Sequence, residues 1–485
     1  MLPSAQQGRE AHETRRARLA AQLGKRPALV AAGLPRPRNY AANLYPYRAS
    51  SHFLYLFGLP LRGAVAVYDG ADFTLYLPEP QPEQALWEGA PPSFEAIAAT
   101  TGCPVRPLAR LPASVRGRAV ATLPAPDLET CLEQSRLLGR DIRRGVIDVL
   151  DAPLADAMID LRLRHDDAAV AELRVAADAT AEAHRAGMAA TRPGLTAAAV
   201  RAAMESELVA RGMTCAYPSI VTPHGEILHS ERYDHELHEG DLLLADVGAE
   251  TPGGWAGDVT RTWPVSGRFS PTQRDLYQVV LEAQRRAITA VTPGTRYRNV
   301  HLLACQTLAS GLVDLGILRG NPIELAADGV VALLFPHGVG HLLGLDVHDM
   351  EDLGDRAGYA PGRERAKEFG LHALRLDRDL VPGMALTIEP GIYLAPVILE
   401  DATLTRVAGD RLDRRRLADF ADVRGIRIED DVLVTANGRE VLTAAIPKSI
   451  PEIEAAVGRT GKTRARARAR EGPPEEGPPD RKIKS

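Results

Sequence analysis

The sequence predicts an α+β body over residues 160–456, preceded by a smaller α/β domain over residues 10–155 and followed by a tail at 459–485. Three observations carry this. Short apolar runs alternate with turn signals through the first part. In the second, strand-like segments at 242–249, 255–265, 384–395 and 424–435 flank a helix pair at 271–291 and 297–316, the pattern of an antiparallel-leaning sheet with segregated helices. The last stretch alternates Arg with Ala and then runs through Pro, Gly and Glu, a composition that buries no core and predicts disorder. At 485 residues the chain is too long for one ordinary core, which favours two domains.

Residues 13–25 (ETRRARLAAQLGK) read as an amphipathic helix, and ALVAA (28–32), AVAVY (64–68) and FTLYL (73–77) as short strands, with DGAD (69–72) as a turn. From Ala155 to Ala190 the chain is Ala-rich, and Ala169, Leu173, Ala176 and Ala177 fall at helical spacing; one long helical run is expected there. Arg192-Pro193-Gly194 stops it, and Thr196 opens a second helix that ends near Gly212.

Composition excludes several classes. The formal net charge is −5; the tail holds nine Lys and Arg against four Asp and Glu, so the body is acidic and no nucleic-acid platform is expected. The polar N-terminus has no apolar signal core, and no apolar run of about 18 residues offers a membrane span, so the expected location is cytoplasmic by default. Cys103, Cys131, Cys215 and Cys305 are scattered with no CxxC pair, as in a reducing compartment.

Five residues stand out by their frames: Asp246 in LLLADVGAE, Asp258 in AGDVTRTWP, His341 in HGVGHLLGLDVHD, Glu389 in TIEPGIY and Glu429 in RIEDDVLV. Asp246 ends an apolar strand, where an acid is costly unless paired or bound to metal. The TPGG turn (251–254) lets the strand before Asp258 fold back, so that both carboxylates face one point. Gly338 and Gly340 argue against a regular helix through His337 and His341, and for an open segment. Alternation puts Arg427, Glu429 and Asp431 on one face of their strand, and Ile428, Asp430 and Val432 on the other. Four carboxylates and one imidazole suit two divalent cations of the Mn²⁺, Co²⁺, Fe²⁺ or Zn²⁺ type, with Mg²⁺ and thiolate-bound metals disfavoured.

These frames, in this order, resemble the dinuclear metallopeptidases of the pita-bread fold, the family of methionine aminopeptidase, aminopeptidase P and prolidase. YPYRASSHFLYLFGLP (45–60) and PEQALWEGAPP (82–92) are similar to the N-terminal domain of its proline-specific branch. The resemblance implies metal-dependent hydrolysis of Xaa-Pro bonds by a metal-bridging hydroxide. The leading reading is an aminopeptidase acting on peptides with proline at the second position; the alternative is a Xaa-Pro dipeptidase. It also implies two metal ions, manganese first, and a homo-oligomer, a dimer or tetramer. A non-catalytic scaffold on this fold would have lost ligands, and none is lost here. The turn between the two aspartates carries one residue more than in many relatives.

The resemblance further assigns roles. Asp258 and Glu429 bridge the metals, Asp246 completes one shell, and His341 and Glu389 complete the other, Glu389 also relaying a proton. His229 lies near the substrate, His348 bonds the substrate or the tetrahedral intermediate, and His337 shapes the proline pocket. Arg375 matches an arginine that can face a substrate carboxylate. Together with the polar, partly helical insertion 399–423, which is similar to those of bacterial prolidases, it keeps the dipeptidase reading open. Arg427 orients Asp246 or Glu429, with Tyr393 a weaker candidate beside it. His224, His235 and His238 are expected in solvent.

Overall fold

A computed structural model describes residues 5–80 and 83–458; the tail expected to be disordered, 459–485, lies outside the described residues. The first sheet consists of β1 (Ala28–Ala31), β2 (Val65–Tyr68), β3 (Phe73–Leu77), β4 (Val105–Pro107) and β5 (Ala121–Thr122), in the order β4-β3-β2-β1-β5. The edge pairs β1–β5 and β3–β4 are parallel and the central pairs antiparallel. Alternation decides what each face covers. Ala28 and Val30 point toward the helix Ala5–Leu23, which buries Leu19 and Leu23, and toward the helix Ser51–Phe57, buried along its whole length. Leu29, Val67 and Tyr76 point the other way, onto Leu111, Val115 and Val120. Asp69 closes the β2–β3 turn by accepting from the amides of Ala71 and Asp72.

The long helical run expected over 155–190 is two helices, Ala152–Arg162 and Asp167–Ala190. Two interactions break it. The His165 amide donates to the Gly383 carbonyl, and the Asp166 side chain caps the second helix by accepting from Ala169 N at 2.9 Å. Asp166 is also held by a two-pronged contact from buried Arg15, both distances 2.8 Å, which ties the first helix to the second domain. Thr196 caps the helix Ala197–Val209, as expected.

The second half is built from small sheets. β6 (Thr214–Cys215) pairs with β9 (Ala249–Glu250), and β7 (Ile220–Thr222), β8 (Leu242–Asp246) and β10 (Thr260–Pro264) form an antiparallel sheet in the order β10-β8-β7. β11 (Ala385–Ile388), β14 (Asp430–Thr435) and β15 (Gly438–Val441) form another, and β12 (Gly391–Tyr393) pairs with β13 (Gly425–Arg427). The helix Pro271–Ala290 packs against these sheets and opens on a capping box between Ser270 and Gln273, and the helix Tyr297–Asp314 packs on it.

The four strand-like segments are thus each interrupted, and the interruptions share a position. Glu389 and Pro390 separate β11 from β12, and Ile428 and Glu429 separate β13 from β14 on the partner strands. Asp246 is the last residue of β8, where it lies opposite Thr260. Acidic residues occupy the places where the chain passes from one sheet to the next. The pattern matches the α+β, pita-bread architecture with an α/β N-terminal domain.

Candidate metal centre

Asp246, Asp258, His341, Glu389 and Glu429 meet at this crossover. One ligand atom each from Asp258, His341 and Glu429 lies within 4.8 Å of the others. His341 Nε2 is 3.8 Å from Glu389 Oε1. Asp246 joins through its charge, which acts on Glu389 and Glu429 alike. The fold brings His341 here by laying residues 339–342 against β11. The Glu389 amide donates to the Val339 carbonyl, Thr387 N donates to the His341 carbonyl, and His341 N donates to Thr387 Oγ1. Gly340 allows that approach: at φ +153° a Cβ would collide with the Thr387 carbonyl and the Tyr297 hydroxyl. Gly254, at φ +86°, turns the tip of the hairpin between the two aspartates.

The hydrogen bonds around the acids are directional. Arg427 Nη2 donates to Asp246 Oδ2 at 2.6 Å, and the Tyr217 hydroxyl donates to Asp246 Oδ1 at 2.5 Å. Arg427 Nε donates to Thr260 Oγ1 at 2.9 Å, which in turn donates to Glu429 Oε2 at 2.9 Å. Sequence reasoning left open which acid Arg427 orients; it touches Asp246 directly and reaches Glu429 through Thr260. Arg427 Nη1 lies 3.1 Å from Tyr393 Oη, so that hydroxyl is free to donate to His337 Nε2 at 2.8 Å. His337 Nδ1 faces the Gly338 carbonyl at 2.8 Å. Both ring nitrogens of His337 are therefore engaged, and burial drives its pKa down to about 3, so the ring is a neutral wall packed on Phe335.

Charge in the cluster is unbalanced. Burial, with the charges of Asp258, Glu389 and Asp246, pushes the Glu429 carboxyl well above its usual range. Burial raises Glu389 to about 7. Burial raises Asp246 as well, against the opposing charge of Arg427. Asp258 goes the other way: burial opposes ionisation, but the hydrogen bond and charge of His341 hold it low. Asp431 is buried, accepts the Asp258 amide on Oδ2 at 3.1 Å, and leaves Oδ1 without a hydrogen-bond partner among the described residues. Four buried acids and the half-buried Glu389 face one guanidinium and the imidazole of His341, a set of hard oxygen donors that fits divalent cations. Asp430, on the opposite face as alternation requires, is neutralised separately by Arg261 at 2.7 Å and Lys448 at 2.5 Å.

His348 lies beside His341, ring centroids 4.1 Å apart, with Nδ1 3.3 Å from Glu351 Oε2. Arg375 pairs with the same Glu351 oxygen at 2.6 Å and is half-exposed. His229 is exposed. His238 is exposed, as expected. His224 and His235 depart from the expectation of solvated side chains: both are half-buried and pack together with ring centroids 4.5 Å apart, and His224 is bonded to Glu226 Oε1 at 2.9 Å and to Arg424. The cause is a close backbone approach of Gly225 to Gly425, which presses that loop onto Arg424. Sequence reasoning missed Tyr217, Thr260 and Thr387. For Thr260 a signal was present, three consecutive polar residues opening the strand TRTWP, which is buried throughout.

A buried cluster of acids and one imidazole at a sheet crossover defines a metal-dependent hydrolase. More particularly, the chain belongs to metallopeptidase family M24, whose sequence model matches residues 171–436; the aminopeptidase P, N-terminal domain, matches residues 12–120. A probable Xaa-Pro aminopeptidase of Penicillium rubens is 32% identical over 428 residues, 84% of this chain and 88% of that protein. The human Xaa-Pro dipeptidase is 30% identical over 466 residues, 91% of this chain and 92% of that protein. Among solved structures, Pseudomonas aeruginosa aminopeptidase PepP superposes with a TM-score of 0.77 at 32% identity, covering 94% of this chain and 99% of that one.

Proposed function

We propose that this protein hydrolyses Xaa-Pro bonds, releasing the N-terminal residue from peptides with proline at the second position. The observation that carries the reading is the convergence of Asp246, Asp258, His341, Glu389 and Glu429 where β11–β12 and β13–β14 change sheets, in a member of a metallopeptidase family. Relatives with an aminopeptidase P-type N-terminal domain and Xaa-Pro activity in their names support the substrate class. We assign those five side chains as ligands of two divalent ions, manganese first. Bound there, such ions supply an activated water and polarise the scissile carbonyl.

The chain's own groups do the rest. Glu389 accepts the water's proton and passes it to the departing proline nitrogen. Arg427 and Tyr217 fix Asp246, and Thr260 fixes one oxygen of Glu429. His337 walls the proline ring, and His229 and His348 bind the peptide. We divide the chain into an N-terminal domain at 10–155 and a catalytic domain at 160–456. Four free cysteines support a reducing, cytoplasmic setting. Leu128 and Leu132, exposed one turn apart, support assembly into a dimer or tetramer. No described helix is long and apolar enough to cross a membrane.

The dipeptidase reading draws on one observation: Arg375 is half-exposed and shares Glu351 with His348, placed to take a substrate carboxylate. Turnover of a Xaa-Pro-Xaa tripeptide and a Xaa-Pro dipeptide by manganese-loaded protein separates the two. Preference for the tripeptide upholds the aminopeptidase; preference for the dipeptide, lost in Arg375→Ala, upholds the alternative.

A further inference from the structure

The N-terminal domain reaches the centre through a histidine that the mechanism above does not use. His52, in the helix Ser51–Phe57, is 4% exposed. Its Nδ1 lies 2.9 Å from Arg162 Nη1 and its Nε2 lies 3.0 Å from Asp352 Oδ2. A guanidinium only donates, so Nδ1 accepts and the ring proton sits on Nε2, facing Asp352. Arg162 donates onward to Asp349 Oδ1 at 2.6 Å, and Ser51 Oγ donates to Asp346 Oδ1 at 2.7 Å. Arg48, from the same domain, donates to the Leu345 carbonyl.

Apart from the His52–Arg162 pair, these contacts fall on one segment, residues 345–352. That segment contains His348 at φ +55° and Met350 at φ +62°, left-handed conformations that persist only where the surroundings impose them. Glu351, next to Asp352, is the residue that holds His348 and Arg375. A cavity of about 420 Å³ between the two domains is lined by Arg48, Ser51, His348, Glu351 and Asp352 among others.

We propose that His52 is a positioning residue for peptide hydrolysis: bridging Arg162 and Asp352, it fixes the left-handed turn that aims His348 at the substrate. The inference rests on the Xaa-Pro peptidase reading. It also gives the N-terminal domain a part in the chemistry of its own chain, beyond walling a cleft.

The test is a double-mutant cycle on the full, manganese-loaded chain, with kcat, KM and metal content measured on a Xaa-Pro-Xaa tripeptide. His52→Ala lowers kcat/KM by about tenfold to a hundredfold, mainly in kcat, with metal content retained. In a His348→Ala background the same change adds nothing, because the two act through one contact. His52→Gln, whose amide can still donate toward Asp352, recovers part of the loss. Should His52→Ala fold poorly, Asp352→Asn, at a partly exposed side chain, enters the same cycle. Losses that add in the double variant, or a loss confined to melting temperature, overturn the inference while leaving the peptidase reading intact. Metal-loaded wild type that cleaves neither peptide removes that reading, and this inference with it.

Discussion

His341 Nε2 lies 3.4 Å from Asp258 Oδ2, so in the metal-free chain an imidazolium occupies the role of a cation. Burial pulls this imidazole down, but the hydrogen bond and charge of Asp258 and the charge of Glu389 outweigh it and lift its pKa from 6.5 to about 9. Burial lifts Glu389 from 4.5 to about 7.

Both groups hold protons more tightly folded than unfolded. The stability they lend is complete below 6.5 for the imidazole and below 4.5 for the carboxyl, and it is lost as pH rises through about 9 and about 7 respectively. Divalent cations take the place of those protons. The gap in melting temperature between manganese-loaded and stripped protein therefore widens as pH climbs. Thermal melts of both forms at about pH 5, 7 and 9 read it directly; a constant or narrowing gap contradicts the assignment.

Glu429→Gln removes one of the mutually repelling acids while keeping the shape that Thr260 bonds. Stripped of metal, the variant melts no lower than wild type. Metal content collapses, and turnover falls by about a thousandfold or more, as expected when Lewis-acid stabilisation worth several kcal/mol is lost. Elemental analysis beside a tripeptide assay decides it; a fully active variant would defeat the ligand assignment.

Arg427→Met leaves Asp246 and the Tyr393 hydroxyl without their guanidinium. Metal affinity falls by about ten- to a hundredfold, the usual cost of losing a group that orients a ligand. Arg427→Lys keeps the charge but not the fork, and recovers only part. Competition with a chelator measures both variants, and wild-type affinity in the Met variant counts against this role.

Gly340→Ala forces a side chain into the Thr387 carbonyl and the Tyr297 hydroxyl. The backbone conformation alone costs about 1–3 kcal/mol, and the collision adds to it. Urea unfolding reports the stability loss, and metal analysis reports displacement of His341. A variant as stable as wild type would mean the 339–342 segment has room that its contacts with β11 deny.

The acids and the histidine were legible because each sits in an apolar or glycine-framed stretch where a charge needs a reason. The alternation that set Arg427, Glu429 and Asp431 apart from Asp430 held, with Asp430 bound to Arg261 on the far side. The breaks at Glu389 and Glu429 were not legible, because residue periodicity does not register where paired strands change sheets. The helix break at 163–166 was hidden for a similar reason: it depends on Gly383 and Arg15, both distant in sequence. Tyr217 carries no local signal, since its partner Asp246 arrives only through tertiary pairing. His224 was misread because two glycines two hundred residues apart bring its loop onto Arg424.

The strands that meet at the crossover come from widely separated stretches, the last of them ending beyond Glu429. A polypeptide still on the ribosome therefore has no complete set of cation-holding groups until β13 and β14 have emerged and paired. Truncated products would be born without hydrolytic power, so destructive capacity arrives only with the finished tertiary arrangement.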